Sequence, residues 1–409
     1  MDNRYQVMYR PTLLLSVNGT NYTISPSDIV SISIMHNYDT MTFPIIRIRL
    51  FPDLQLLQNI LEYPDEIEMV GDLYANTYLL QDESKPSIVD GAANLRFQLK
   101  VYIENKNIPS SVMDQYRDGI KIKDDMNQQP KVPVTLYGYH QSMIYYMKRQ
   151  CESIYKDMAL PSVIQDILSR GSIHNYQMDP LDQQSRFDQI LIPNLNVIQT
   201  LAFFDTYYGM YRKGCHVYGD LDQLYITSAD SYNIGNLIPV VIADYKNNTD
   251  MVGLKKINNA YSIYVLSQNV SVLSETDIER ILQAKNIAAV NVNDNTIETA
   301  DLQELYEYKP KEIYGDSNIP NILHKYQNPF IASSNAARIK EKTTRVDLSM
   351  VGADIATMHV NSRFSLIFES QVRGRNMSGS YRPSYINHVL SNQDNNLFVA
   401  QTTMQLCKN

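Results

Sequence analysis

The alternation of apolar and polar residues over the first 140 positions predicts β-strands. Val30, Ile32 and Ile34 alternate with serines, a period of two that gives a strand one dry face. The same alternation recurs at 44–50, 96–103 and 132–139. Two further apolar runs flank Asn18-Gly19, a pair that accepts positive φ and is typical of a two-residue hairpin turn. We therefore expect a sheet here, interrupted by a polar loop or arm at 104–131.

The middle of the chain changes to the helical period of 3.6 residues. Helices are predicted at 161–168 and directly after Pro193, and a shorter one at 53–62 lies among the first strands. Asn194 is the predicted N-cap of the helix after Pro193, because a short polar side chain there can accept a hydrogen bond from the first turn. Strands at 215–218 and 223–226 follow this helix. The pattern therefore predicts a helix that leads into a β-hairpin.

Strands resume in the last third of the chain. They are predicted at 346–350, 364–368, 385–390 and 397–406. Pro383 leaves the start of the third of these strands open, since proline cannot donate a hydrogen bond to a sheet. Before them, the residues 274–277 resemble a capping box and predict a further helix. The order β, α+β, β predicts an α+β fold that is mostly β.

The composition is that of a folded, soluble chain. Of 409 residues, 44% are hydrophobic and 20% are charged, and the net charge is −8. No apolar run reaches about 18 residues, so no transmembrane helix is expected. The first residues lack the pattern of a signal peptide, so we expect synthesis in a reducing cytoplasm. The acidic total argues against general nucleic-acid binding, although residues 331–409 hold nine Lys/Arg and five Asp/Glu.

No motif with the spacing of a catalytic or metal site occurs in the sequence. There is no HExxH, no GxSxG and no glycine-rich phosphate loop. Cys215 and His216 are neighbours on a predicted strand and should point to opposite faces. Asp220 and Asp222 could contact a cation, but a solvated hairpin tip is the simpler interpretation. We therefore assign no catalytic residue, no metal ligand and no cofactor.

Tyrosine is unusually frequent, with 30 Tyr against 10 Phe and no Trp. Tyr207, Tyr208 and Tyr211 form the densest group. Tyrosine suits surfaces that are wet before assembly and dry after it. The alternative is that this helix end packs into its own domain, and the sequence leaves both interpretations open.

Two ordered sets of segments resemble the central hub proteins of phage baseplates. In the first, 190–201, 207–211 and 219–226, a helix with an aromatic end leads into a hairpin that carries an aspartate. In the second, 364–368, 385–392 and 397–404, closing strands carry a histidine in the penultimate strand. The resemblance gives these candidates for family-signature or interface residues: Pro193, Asn194, Tyr207, Tyr208, Tyr211, Asp220, Asp222 and His388.

The resemblance implies a homotrimer in which each subunit contributes two β-barrel domains similar to the tail-tube fold. The N-terminal region of type VI secretion spike proteins has the same fold. The implied division of this chain is a first tube-like barrel, an α+β helix–hairpin domain, a second tube-like barrel in two pieces, and an inserted helical and loop domain. The respective boundaries are 1–140, 141–232, 233–260 with 330–409, and 261–329.

The implied function is that of a structural hub and not of an enzyme. Such a hub joins the sixfold tail tube to the threefold central spike and lines the DNA channel. Its expected partners are further copies of itself, the tail tube protein, the spike protein, the tape-measure protein and passing DNA. It would reside in the virion baseplate after assembly in the host cytoplasm, and by analogy the tail would be contractile. The alternatives are a tail-associated cell-wall hydrolase and a peripheral carbohydrate- or receptor-binding tail protein.

Overall fold

The computed structural model of the chain describes most of the predicted β and α+β regions. The described residues are 4–38, 43–80, 87–104, 133–171, 173, 175–220, 223–229, 237–243, 253–257, 260–266, 270–272, 286–291, 296–301, 313–314, 328, 330, 334, 345–358, 362–369, 377–393 and 396–408. The predicted arm beyond Glu104, the predicted helix after 274–277 and Asp222 therefore lie outside the described residues.

The described residues include four α-helices and 24 strands. The helices are α1 (Leu54–Glu62), α2 (Gln141–Lys148), α3 (Leu160–Arg170) and α4 (Val197–Tyr207). The strands before α2 are β1 (Tyr5–Val17), β2 (Thr20–Ile24), β3 (Ile29–Asn37), β4 (Ile45–Leu50), β5 (Ile67–Leu79), β6 (Ser87–Gly91), β7 (Leu95–Ile103) and β8 (Val134–His140). Those around α3 and α4 are β9 (Ser153–Ala159), β10 (Tyr176–Met178), β11 (Arg186–Ile192), β12 (Cys215–Asp220) and β13 (Gln223–Ser228). The remaining strands are β14 (Leu237–Ala243), β15 (Gly253–Ile257), β16 (Ala260–Leu266), β17 (Val270–Val272), β18 (Asn286–Asn291), β19 (Thr296–Asp301), β20 (Ile313–Tyr314), β21 (Arg345–Val351), β22 (Arg363–Phe368), β23 (Gly379–Asn392) and β24 (Phe398–Lys408).

The predicted local elements of the N-terminal region are confirmed. The β1–β2 hairpin turns at Asn18 and Gly19, with φ of 46° and 74°, the values that an Asn-Gly turn accepts. Strand β3 buries Ile32 and Ile34 on one face, as its alternation predicts. Val30, predicted on the same face, is only half-buried, because the register with β4 shifts between Ile29 and Ser31. The α+β, mostly β fold class is likewise confirmed.

The central sheet closes on itself in two ways. One hydrogen-bonded circuit runs β1–β5–β7–β8–β4–β3–β23–β24 and back to β1. A second runs β1–β15–β16–β14–β22–β23–β24 and back to β1. Their outer path is a closed barrel of 11 strands. The two circuits therefore share β1, β23 and β24.

The two long C-terminal strands change partners partway along their length. The first residues of β23 pair with β22, and Tyr385–Ser391 pair with β3. The start of β24 pairs with β1, and its later residues pair with β21. Strand β23 runs through Pro383 because the register shifts there, and such a bulge accommodates the missing N–H of proline.

The described part of segment 261–329 differs from the predicted helical insert. Its residues form strands: β16 joins the large sheet, β17 pairs with β21, and β18, β19 and β20 form a separate small sheet. These stretches contain Ile, Val and Thr, whose β-branched side chains favour an extended backbone. No helix in the described part of the chain is long and apolar enough to cross a membrane.

The apolar side chains gather into two main clusters. The larger fills the closed sheet. The second joins α2, α3, α4 and strands β9–β13, and it receives Phe43 from the loop before β4. Elements between α2 and β13 thus pack around a core of their own. The four predicted domain boundaries remain predictions.

Candidate functional site

Helix α4, which the sequence predicts directly after Pro193, has its N-cap two residues later than expected. The Asn196 side chain accepts a hydrogen bond from the backbone N–H of Gln199 (2.8 Å), and the Gln199 side chain accepts one from the backbone N–H of Asn196 (3.1 Å). This reciprocal capping box makes Asn196 the N-cap. The prediction of Asn194 as N-cap is wrong, because it lies before the residue that can reach the first turn. Pro193 and Asn194 are instead exposed at the exit from β11.

The other end of α4 is closed by a residue far away in the sequence. Gly209 has a φ of 71°, which favours glycine. The amide nitrogen of Asn328, a buried residue, donates to the carbonyl oxygens of Asp205 (2.7 Å) and Thr206 (3.3 Å). These are carbonyls that the last helical turn leaves unsatisfied. A Cβ on residue 209 would overlap the Asn328 side chain. No sequence signal links Asn328 to this helix.

The three clustered tyrosines divide into two core residues and one surface residue. Tyr208 is buried and meets the ring of Phe187 edge-on at 5.0 Å. Tyr211 is buried, and its hydroxyl donates to the carbonyl oxygens of Asp179 (2.8 Å) and Ile226 (3.2 Å). Burial raises the pKa of Tyr211 well above its ordinary value. Tyr207 is 59% exposed, so it alone keeps the character of an interface residue.

The hairpin after α4 packs its first strand against the barrel side of the chain. The ring of Phe43 lies where a Cβ of Gly219 would be, so this close approach needs glycine. Asp220 ends β12 and is partly exposed. Burial, and secondarily the charge of Asp220, raises the pKa of Tyr38 well above its ordinary value. Among the described residues, no group of His, Cys, Asp or Glu is arranged to hold a metal ion.

His388 lies in the barrel core and not at the helix–hairpin unit. It is buried on β23, and its Nδ1 shares a hydrogen bond with the Thr402 hydroxyl (2.8 Å) on β24. The ring of His36 on β3 lies 6.5 Å away, centre to centre. Burial, reinforced by His36, lowers the pKa of His388 to about 3. His388 is therefore neutral near pH 7 and contributes to the packing of three adjacent strands.

A small cavity lies between the barrel and the hairpin. It has a volume of about 20 Å³, and its lining includes Tyr38, His216 and the buried Arg363 and Arg382. A single water needs roughly 10–15 Å³ in the same measure. The cavity therefore has room for a water molecule and not for a sugar or a nucleotide.

The chain matches one family and has distant likenesses among solved structures. A family model described as Bacteriophage PBS1 gene 109 protein matches residues 10–408. No curated protein matches the sequence. The tail protein from Neisseria meningitidis MC58 is 10% identical at a TM-score of 0.49, with 98% of this chain and 97% of that chain covered. The 43 kDa tail protein of prophage MuSo2 from Shewanella oneidensis is 10% identical at a TM-score of 0.47, with 96% and 97% covered.

A third solved structure is similar over most of the chain. It is the E. coli c3393 protein, described as a component of the type VI secretion system, which is 5% identical at a TM-score of 0.40 with 97% of this chain and 76% of that chain covered. All three TM-scores are too low to assign a function by similarity.

Proposed function

We propose a structural role in a phage tail from one premise: the chain belongs to the family described as Bacteriophage PBS1 gene 109 protein. In this role the protein is a homotrimeric hub of the tail tip or baseplate. It joins the sixfold tail tube to the threefold central spike and surrounds the path of the DNA. The tape-measure protein, the tube protein and the spike protein are its expected partners, and the virion tail is its place.

The observation that carries this proposal is the pair of closed circuits in one chain. The circuits share β1, β23 and β24 and otherwise use different strands. Three copies of such a chain offer six closed sheet units around a threefold axis. That number fits a sixfold tube on one side and a threefold spike on the other. A protein with a single closed sheet would not reconcile the two symmetries in this way.

An open strand edge supports contact between copies. Strand β6 pairs with β5 and with no second strand among the described residues. Its Ile88 and Val89 are 58% and 41% exposed. An exposed apolar edge invites pairing with another chain, and native proteins usually cover it. A neighbouring subunit in a ring would provide that cover.

The oligomeric state of the full chain tests the proposal. Native mass spectrometry should find a species of three times 47.0 kDa. The variant Ile88→Asp should dissociate it, because a charge would be buried at the covered edge. The matched control Ile367→Asp changes a side chain that is 47% exposed on β22, a strand that pairs with β14 and β23 on its two sides, and should leave the trimer intact. A strict monomer at every concentration, with tube protein present, would contradict the hub.

Antibody labelling of particles tests the location of the protein, and a zymogram tests the absence of catalysis. Antibody-labelled particles should carry the label at the tail tip on the particle axis. Label on peripheral fibres would favour a receptor-binding protein. A zymogram on cell-wall material should show no clearing by the purified chain, and clearing that one carboxylate substitution abolishes would establish the hydrolase alternative.

A further inference from the structure

The small cavity between the barrel and the hairpin is lined by hydrogen-bond donors and by positive charge. Its lining includes a group of five residues that we call the cationic pocket: Tyr38, His216, Tyr218, Arg363 and Arg382. The lining residues that the structure describes include no Asp and no Glu. A space with fixed positive charge in its wall and no carboxylate favours a negatively charged ligand.

The sheet places the two arginines of the cationic pocket opposite each other. Arg363 begins β22, Arg382 lies on β23, and each is next in sequence to one member of the pair Phe364 and Tyr381. The antiparallel register therefore puts the two arginines at facing positions. Both are only 5% exposed. Like charges at facing positions destabilise a sheet, and burial increases this cost because little water screens the repulsion.

The hairpin covers the arginines on the side of the cavity. His216 on β12 pairs with Thr227 on β13, and both residues line the cavity. Burial raises the pKa of the Tyr218 hydroxyl, whereas a hydrogen bond with Thr227 and then the charge of Arg363 lower it in part. The Arg363 guanidinium is therefore close enough to act on the hydroxyl of a hairpin residue. The positive charge thus lies at the boundary between the barrel and the hairpin.

Tyr38 adds a buried hydroxyl to the wall of the cavity. The residue is 7% exposed, and its hydroxyl oxygen has no hydrogen-bond partner among the described residues. Its ring meets the Tyr218 ring edge-on at 5.8 Å, which holds the phenol in place. Burial, and secondarily the charge of Asp220, raises its pKa, so the hydroxyl keeps its proton near pH 7 and can donate. Buried polar groups are normally hydrogen-bonded, so this hydroxyl indicates a ligand inside the cavity.

The size of the cavity limits the ligand to a water molecule or a single small ion. Its volume of about 20 Å³ exceeds the roughly 10–15 Å³ that one water needs in the same measure. Phosphate, sulfate and carboxylate groups have several heavy atoms and need more space. A water molecule would accept a hydrogen bond from Tyr38 but would leave the repulsion between the two arginines unchanged. A halide ion accepts hydrogen bonds from several donors and also supplies the negative charge.

We propose that the cationic pocket binds one chloride ion, held by the Tyr38 hydroxyl and by the guanidinium groups of Arg363 and Arg382. The ion connects β22 and β23 of the barrel to the β12–β13 hairpin, and so fixes the helix–hairpin unit on the barrel. Asp220, whose charge acts on Tyr38 but which is not a lining residue, opposes the ion and limits its affinity. The site does not depend on the proposed function, because it operates in the isolated chain as well as in an assembly.

Urea denaturation in two sodium salts tests the site with a conservative substitution. Wild type and Tyr38→Phe are unfolded in sodium chloride and in sodium gluconate, each at about 150 mM, near physiological ionic strength. Gluconate is too large for the cavity. The matched control Tyr211→Phe removes a hydroxyl of the second core that does not line the cavity. Comparing each variant with wild type in the same salt cancels the general effect of that salt on folding.

We expect Tyr38→Phe to be less stable than wild type in chloride only. Nine-tenths occupancy of one site shifts the ratio of folded to unfolded chain about tenfold, so the variant should lose up to about tenfold in this ratio. In gluconate the ratio should equal or exceed that of wild type, because the variant no longer buries an unsatisfied hydroxyl. Tyr211→Phe should lose the same amount in both salts. Equal losses for Tyr38→Phe in the two salts would overturn the inference and indicate a bound water instead.

The variant Asp220→Asn should change the affinity in the opposite direction. It removes a negative charge that acts on Tyr38, so the chloride concentration at which half of the stabilisation is reached should fall. A rise in that concentration would contradict an anion in the cationic pocket.

Crystals of the wild-type chain in sodium bromide provide a direct measurement that needs no variant to fold. Bromide replaces chloride and scatters X-rays anomalously. A peak is expected between Tyr38, Arg363 and Arg382. Anomalous peaks at surface positions alone, with none in the cationic pocket, would overturn the inference.

Discussion

Replacing His388 by glutamine should flatten the dependence of the free energy of unfolding on pH. In the folded chain the pKa of His388 is lowered from 6.5 to about 3, first by burial and then by His36. Below pH 6.5 the unfolded chain therefore binds a proton at His388, whereas the folded chain leaves His388 neutral until the pH approaches 3. The contribution of His388 to the free energy of unfolding is complete above pH 6.5 and is lost as the pH falls from 6.5 towards 3.

The loss follows from the linkage between proton binding and folding. Each pH unit within that window costs about 1.4 kcal/mol. Between pH 7 and pH 5, the His388 contribution is therefore about 2 kcal/mol. Urea denaturation followed by circular dichroism at pH 7, 6 and 5 measures it. His388→Gln should remove about 2 kcal/mol of the pH-dependent loss, because glutamine keeps a hydrogen-bonding group but does not titrate.

Thr402→Val provides the matched control. It removes the hydroxyl that shares a hydrogen bond with His388 (2.8 Å) but leaves the histidine in place. Its stability should fall by about 1 kcal/mol at every pH, parallel to wild type. An unchanged slope in His388→Gln would refute the assignment of the acid sensitivity to this buried histidine.

Three further substitutions test the helix–hairpin unit, each by urea denaturation. Asn196→Ala should cost about 1 kcal/mol by removing the N-cap, whereas Asn194→Ala should stay within about 0.5 kcal/mol; the reverse order would restore Asn194 as the cap. Tyr211→Phe should cost about 1 kcal/mol, because the Asp179 carbonyl oxygen loses the Tyr211 hydroxyl as donor, while the Ile226 carbonyl oxygen keeps the Asp179 backbone N–H (3.0 Å). Tyr207→Phe, at an exposed position, should leave the free energy of unfolding nearly unchanged. Equal losses for Tyr207→Phe and Tyr211→Phe would contradict the placement of Tyr211 in the core and Tyr207 at the surface. Gly209→Ala should cost more than about 1 kcal/mol, since a side chain meets both a positive φ and an occupied space; a neutral result would mean that this turn can relax.

The elements that were predictable from the sequence are those with local signals. Asn18-Gly19 sets its own turn through backbone conformation, and the alternation around Ile32 and Ile34 sets its own dry face. The apolar stripe of α3, predicted over 161–168, is also local: Pro161 lies in its first turn and Gly171 caps its end. Such signals act over a few residues, so neighbouring positions in the sequence are enough to read them.

The features that were missed depend on distant or reciprocal contacts. Asn194 and Asn196 are equally suitable N-caps by residue type. The Gln199 side chain decides between them, because it accepts a hydrogen bond from the backbone N–H of Asn196. Asn328 reaches α4 from more than 120 positions away. The burial of His388 depends on strands β3 and β24, which lie on either side of it. Only the sheet order reveals that the two closed circuits share strands.

The shared strands also determine when the protein can finish folding. Met8 pairs with Val399, and Ile34 pairs with His388, so both circuits wait for residues 379–408 to leave the ribosome. During most of translation the earlier strands therefore have unpaired edges, and unpaired edges favour aggregation. Contacts this far apart in sequence also slow the final closure. Expression at low temperature or with chaperones should therefore raise the yield of folded chain more than stabilising its early helices would.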